Sequence, residues 1–193
     1  LNAMGTAVGR VSGVFEIEAS VSLTIVANND LIVYTNAATD PFTDPNNANT
    51  AVNQNQPTPH SVIGSAVYVV GHLFTLGSCG LAAVGCVCTG SKATATTGLP
   101  NPVGDPFYID YVAHEMGHQF AGNHTQYSNC NRNTPTSCLM RSSGSSVPPE
   151  NSSITCCNRL GPGLESVSPM LWLVSSSTAT REGRVSCRSV RFS

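Results

Sequence analysis

The sequence predicts an α/β sandwich, a sheet partly covered by helices, on three observations. Short stretches rich in β-branched residues come first, a helix with clear start and stop signals follows, and segments of turn chemistry join them. At 193 residues, 40% of them hydrophobic, the chain can bury one substantial core and is short for two.

Residues 1–12 read as the end of an amphipathic helix stopped near Gly13. Apolar and polar side chains alternate across VFEIEASVSLTIV (14–26), which predicts a half-buried strand. ANND (27–30) reads as a turn and LIVY (31–34) as a second short strand. TNAATDPFTDPNNANT (35–50) is a surface loop by its turn residues. Asp40, Asp44 and Asn46 are candidate calcium ligands there, although such side chains more commonly form Asx turns.

A helix around 52–63 precedes a strand within SAVYVVGHLFTL (65–76). CGLAAVGCVC (79–88) is small, apolar and punctuated by glycine, so backbone rather than bulky side chains can approach a neighbour there. A loop to about Gly104 leads to the best-marked helix, 106–121. Asp105 is its predicted N-cap, Pro106 takes the favoured first position, and Gly122 lies just past the end. Tyr108, Val112, Met116 and Phe120 recur every four residues as its buried stripe.

Composition narrows the class. Charged residues make up only 10% of the chain and the formal net charge is −2, which leaves no electrostatic footprint for nucleic acid or anionic lipid. The late arginines (Arg181, Arg184, Arg188, Arg191) are scattered singly, as on a solvated tail. No apolar run reaches the ~18 residues of a membrane span. Eight cysteines without paired C-x-x-C motifs favour disulfides over a cysteine zinc site. With Lys92 the only lysine, this composition suits an extracellular protein, expected to be a monomer. The chain opens on Leu1, inside a predicted helix, and reads as a fragment whose export signal was lost. Near residue 137 the composition turns serine-rich and six of the eight arginines follow. The expected division is therefore a domain over 1–136 and a Ser/Arg-rich region over 137–193, where only SPMLWLV (168–174) shows periodicity. A reading-frame error after about residue 136 would produce such a shift, and genomic reads across the junction test it.

The chemistry concentrates in HEMGHQFAGNH (114–124), which holds three of the chain's five histidines. On a helix, His114 and His118 project from one face a turn apart, a spacing at which two imidazoles can share a zinc ion. Glu115 stands beside such an ion, placed to take a proton from zinc-bound water and pass it to a leaving amine. A third ligand is needed. A continuous helix would carry His124 about 15 Å from His114 along the axis, so the chain must break and turn back, as Gly122 and Asn123 permit.

These residues resemble the extended zinc motif of the metzincins, H-E-x-x-H-x-x-G-x-x-H. The flanking SVIGSAVYVVGHLFTLGSCGLAAVGCVCTGSKATATTGLPNPVGDPFYIDYVAHEMGHQF is similar to the reprolysin (adamalysin-like) branch, and to its bacterial secreted forms in particular. The likeness covers roughly residues 1–136. It implies a zinc metalloendopeptidase acting on protein or peptide substrates, with His114, His118 and His124 as zinc ligands and Glu115 as general base. It also implies a metzincin-like twisted mixed β-sheet packed on helices, including the zinc helix 106–121, with an antiparallel edge strand along the cleft. Gly80, Leu81, Ala82 and Ala83 fit that edge, where an extended substrate could add as a further strand.

Two positions depart from the pattern. Ala121 stands where the family has glycine, with Gly122 one place later; if position 121 needs a positive φ, alanine costs on the order of 1 kcal/mol. SCLM (137–140) is similar to the methionine turn, making Met140 the candidate Met-turn residue, yet RSSGSSVPPENSS after it does not resemble the family.

Other residues have weaker claims. His72 reads as a packed or hydrogen-bonded strand residue, and His60 lies outside the cluster. Asp110 could orient an imidazole, against the commoner role of a solvent-facing acid near a helix start. Tyr127 could steady a tetrahedral intermediate. Asn123 and Asn151 begin glycosylation triplets, the first of which would put a sugar on the zinc site. Two rival functions remain: a zinc hydrolase whose third ligand is Glu150 or Glu165, and a non-catalytic secreted module of protease-like shape.

Overall fold

The computed structural model describes residues 2–124 and the backbone of residues 170–176. Its first element is α1 (Asn2–Ala19), which continues through Gly13 and takes up the first part of the expected strand. Met4, Ala7, Val8, Val11 and Phe15 are buried, a spacing of three and four that gives one helical face. The alternation at 14–19 is misleading because Ile17, an inward residue in a strand, is 82% exposed on the helix's outer side. The helix gives way at Ser20 (φ 55°). Only β1 (Leu23–Ile25) remains of the expected strand, and the Leu23 N–H donates to Ser12 Oγ at 3.0 Å, tying it to the helix. LIVY forms no second strand: Asn29–Ile32 is a 3₁₀ turn that buries Ile32.

After a loop come α2 (Ala48–Asn55) and α3 (Pro57–Val62), close to the expected helix over 52–63. The Asn47 side chain caps α2 by accepting from the Thr50 N–H. Then follow β2 (Val70–Thr75), β3 (Gly80–Ala82) and β4 (Ala95–Gly98). β4 lies within a stretch expected to be loop. Its ATTG sequence lacks the bulky side chains that announce a strand, yet all four residues are buried. Gly98 has to be glycine, since a Cβ there would meet the Gly77 carbonyl oxygen at 2.0 Å.

The last helical stretch runs as α4 (Asp105–Phe107), a π-helical turn (Tyr108–Val112) and α5 (Ala113–Gln119). The expected stripe is there, with Val112, Met116 and Phe120 buried and Tyr108 packed at its margin. Asp105 does not cap the helix; Gly104 (φ 78°) holds that position without a side-chain bond. The Asp105 carboxylate instead accepts both Nε and Nη2 of Arg10, at 3.1 and 2.7 Å, joining α4 to α1.

A fifth strand, β5 (Met170–Ser176), comes from SPMLWLV and its surroundings. Among the described residues the sheet has the order β1-β5-β2-β4-β3. β2 and β4 are parallel, and the other neighbours are antiparallel. The sheet is thus mixed, and β3 is an antiparallel edge, as the likeness implies. Strand alternation sends Val70 and Phe74 into one core with α1, Phe107, Val112, Met116 and Phe120. Leu73 enters the other core with Ile32, Phe42, Tyr68, Ala51 of α2 and Ala93. Helices therefore cover both faces of the sheet.

Candidate metal centre

The helix that carries His114 and His118 ends in a tight reversal that sets the site. The Gly122 N–H bonds to the Gly117 carbonyl at 2.8 Å and the Ala121 N–H to the His118 carbonyl at 2.9 Å, the paired bonds of a Schellman C-cap. That cap needs a left-handed residue, and it is Ala121 (φ 69°) rather than the expected Gly122. The condition attached to position 121 is therefore met, with a cost of roughly 1 kcal/mol for the alanine.

The reversal returns His124 to the face that carries His114 and His118. His124 Nε2 lies 3.2 Å from His114 Nε2 and 3.1 Å from His118 Nε2. One ligand atom from each of the three lies within 4.8 Å of the others. His118 Nδ1 is 2.8 Å from the Gly122 carbonyl. A carbonyl only accepts, so Nδ1 carries the proton and Nε2 presents a lone pair. A single proton on His124 Nε2 could then serve one of its two close contacts, not both. A cation answers all three lone pairs at once. Nitrogens ~2.0–2.1 Å from a tetrahedral zinc ion lie about 3.3–3.4 Å apart, close to the spacings found here.

Electrostatics agree with that donor set. Burial, then the neighbouring His118 and His124, lowers the His114 pKa to about 4. Burial lowers that of His118 as well, opposed by its bond to Gly122. Both rings are neutral near pH 7, the form in which imidazole binds metal. Glu115 is 4% exposed, burial raises its pKa to about 8, and its Oε2 has no hydrogen-bond partner among the described residues. Burying such a carboxyl without a partner is costly, and groups perturbed in this way cluster at functional sites.

The edge strand meets this helix directly. Gly80 is buried, Leu81 and Ala82 are half-buried in β3, and the Ala83 N–H extends the pairing to the Thr94 carbonyl at 2.9 Å. Just beyond, the Gly85 and Val87 N–H groups cap the His118 and Gln119 carbonyls at 2.9 and 3.3 Å. β3 thus packs against the helix that carries His114 and His118, with Gly80 next to Glu115.

Gln119 was not anticipated. It is fully buried, its Oε1 faces His72 Nδ1 at 2.8 Å, and its Nε2 donates to the Gly71 carbonyl at 2.9 Å. Thr97 Oγ1 takes the other His72 nitrogen at 2.7 Å, so His72 is the hydrogen-bonded strand residue expected. The signal for Gln119 was its position, four after Glu115 and seven after Val112 on the buried face. His60 pairs with the Tyr68 hydroxyl. Asp110 is exposed. Asp40 accepts the Phe42 N–H at 2.9 Å in an Asx turn, and the histidine trio is the one cluster of three or more potential ligands among the described residues. Tyr127, Met140, Glu150, Asn151 and Glu165 lie outside the described residues.

A mixed sheet with helices on both faces and three convergent imidazoles beside a buried carboxyl has the makeup of a metallopeptidase. The chain matches the family described as "Metallo-peptidase family M12B Reprolysin-like" over residues 1–125, and it belongs to that family. No curated protein and no solved structure matches it. No helix among the described residues is long and apolar enough to cross a membrane.

Proposed function

We propose that the protein is a zinc-dependent endopeptidase in which His114, His118 and His124 hold one Zn²⁺ and Glu115 moves the proton. This reading rests on the meeting of three imidazole Nε2 atoms, two from the helix and one from the reversal after it, with Glu115 buried on that same helix. Zinc supplies a Lewis acid that polarises a peptide carbonyl and makes water a nucleophile at neutral pH. Glu115 Oε2 accepts the proton of the attacking water and delivers it to the leaving amide nitrogen. Burial alone holds its pKa at about 8. A divalent cation held by the three histidines would favour the ionised carboxylate, the form that accepts a proton.

The outer edge of β3, at Gly80, Leu81, Ala82 and Ala83, takes the substrate as an added strand through backbone hydrogen bonds. His124 Nε2 meets both helical imidazoles, which favours it as the third ligand. Cys79 and Cys88 each take part in a disulfide, which supports an extracellular setting; there the protein acts as a monomer. Chelator-sensitive cleavage of casein by the full chain is the expected result. Zinc-loaded protein that leaves casein intact would establish the non-catalytic module instead.

A further inference from the structure

Beyond ligands and base, a glycine on the edge strand bears directly on Glu115. A Cβ placed on Gly80 would lie 2.3 Å from Glu115 Oε1, 2.8 Å from Cδ and 2.9 Å from Cγ. Three atoms of one side chain are involved, and Cγ can clear the contact only by rotation about χ1. We propose that Gly80 is a positioning residue: its bare Cα sets where the Glu115 carboxyl rests against the strand that carries substrate. This inference builds on the peptidase reading.

Neither backbone can retreat to make room. β3 is held to β4 in the register Gly80↔Thr97, Leu81↔Thr96 and Ala82↔Ala95, and the Gly98 N–H bonds to the Cys79 carbonyl at 2.9 Å. The helix is held to the same segment by the Gly85 and Val87 caps on the His118 and Gln119 carbonyls. Strand and helix form one locked unit, so the Glu115 side chain is the part that yields. A methyl at position 80 moves the carboxyl away from its resting place while leaving the outer edge of β3, and hence substrate pairing, intact. The base and the substrate strand are thereby referenced to the same residue.

The test is a double-mutant cycle in the full chain, Gly80→Ala against Glu115→Ala, read as zinc-free melting temperature, zinc content and casein kinetics. Gly80→Ala is expected to lower the melting temperature by on the order of 5 °C with Glu115 present, the scale of an overpacked core. The loss should largely vanish in the Glu115→Ala background, where the clash is gone. With zinc retained, kcat should fall roughly 10²-fold, the usual cost of a misplacement near 1 Å, while KM stays near its wild-type value. Equal melting losses in both backgrounds, or wild-type kcat in Gly80→Ala, overturns the inference and leaves the peptidase reading standing. A wild-type chain that cleaves nothing removes the peptidase reading and the role of Gly80 together.

Discussion

Two buried polar clusters share the helix α5, and they treat histidine in opposite ways. Towards the sheet, His72 has both ring nitrogens in hydrogen bonds, to Gln119 and Thr97. On its other side, His114, His118 and His124 turn their Nε2 atoms on one another, and the buried Glu115 of the same helix keeps one carboxyl oxygen without a hydrogen-bond partner among the described residues. Burial lowers the pKa of His72 and of His114 to about the same value, near 4. A shifted pKa therefore does not separate the structural ring from the functional ones. The partners do: His72 is paired with Gln119 and Thr97, whereas the other three rings face one another in an arrangement that could hold a cation.

The largest effect that would sharpen this contrast is catalytic. Glu115→Gln keeps shape and packing but removes the proton acceptor, so casein turnover should drop by roughly 10³-fold with folding and zinc content unchanged. Activity near wild type would remove Glu115 from the mechanism. Next comes linkage. Zinc at about 1,000 times its Kd should stabilise the wild-type chain by about 4 kcal/mol in denaturant titrations. That increment should survive His72→Gln and disappear in His124→Ala; the reverse pattern would exchange the two roles.

The third effect is pH-dependent. His72 has a folded pKa of about 4, below its ordinary 6.5. Between those values the unfolded chain binds the extra proton, so stability present above pH 6.5 is lost as pH falls towards 4. The loss amounts to roughly 3 kcal/mol. Zinc-free unfolding curves across this window should be flatter for His72→Gln, the remaining slope belonging to the cleft histidines. An unchanged slope would mean that His72 is not held neutral. Smallest is the cap: Ala121→Gly relieves a left-handed alanine and should raise stability by about 1 kcal/mol without weakening zinc binding. A loss of stability would show that the alanine methyl contributes packing at the cap.

The same contrast explains what could be read from the sequence. The histidine cluster was legible because its geometry is local: a four-residue helical spacing, then a forced reversal within ten residues. The edge strand came from the resemblance to the reprolysins; the residues themselves showed only a small, glycine-punctuated stretch where backbone can approach closely. The His72–Gln119–Thr97 set was not, because it joins residues from β2, β4 and α5 that only the completed sheet brings together. β4 itself escaped notice because ATTG draws its stability from burial rather than from strand propensity. At 14–19 the residues satisfy both a period of two and a period of 3.6. Packing of Phe15 against the ring of Phe120, at 5.3 Å between centroids, accompanies the helical outcome.

In the proposed site, three imidazole nitrogens hold one divalent cation. Competition between the protein and a chromophoric chelator for Zn²⁺ tests it most directly. One zinc per wild-type chain is expected, with an affinity lowered more than ~100-fold in His124→Ala, since even an outer-sphere partner costs 10–100-fold. Equal affinities for wild type and His124→Ala, or no zinc retained by either, would contradict it.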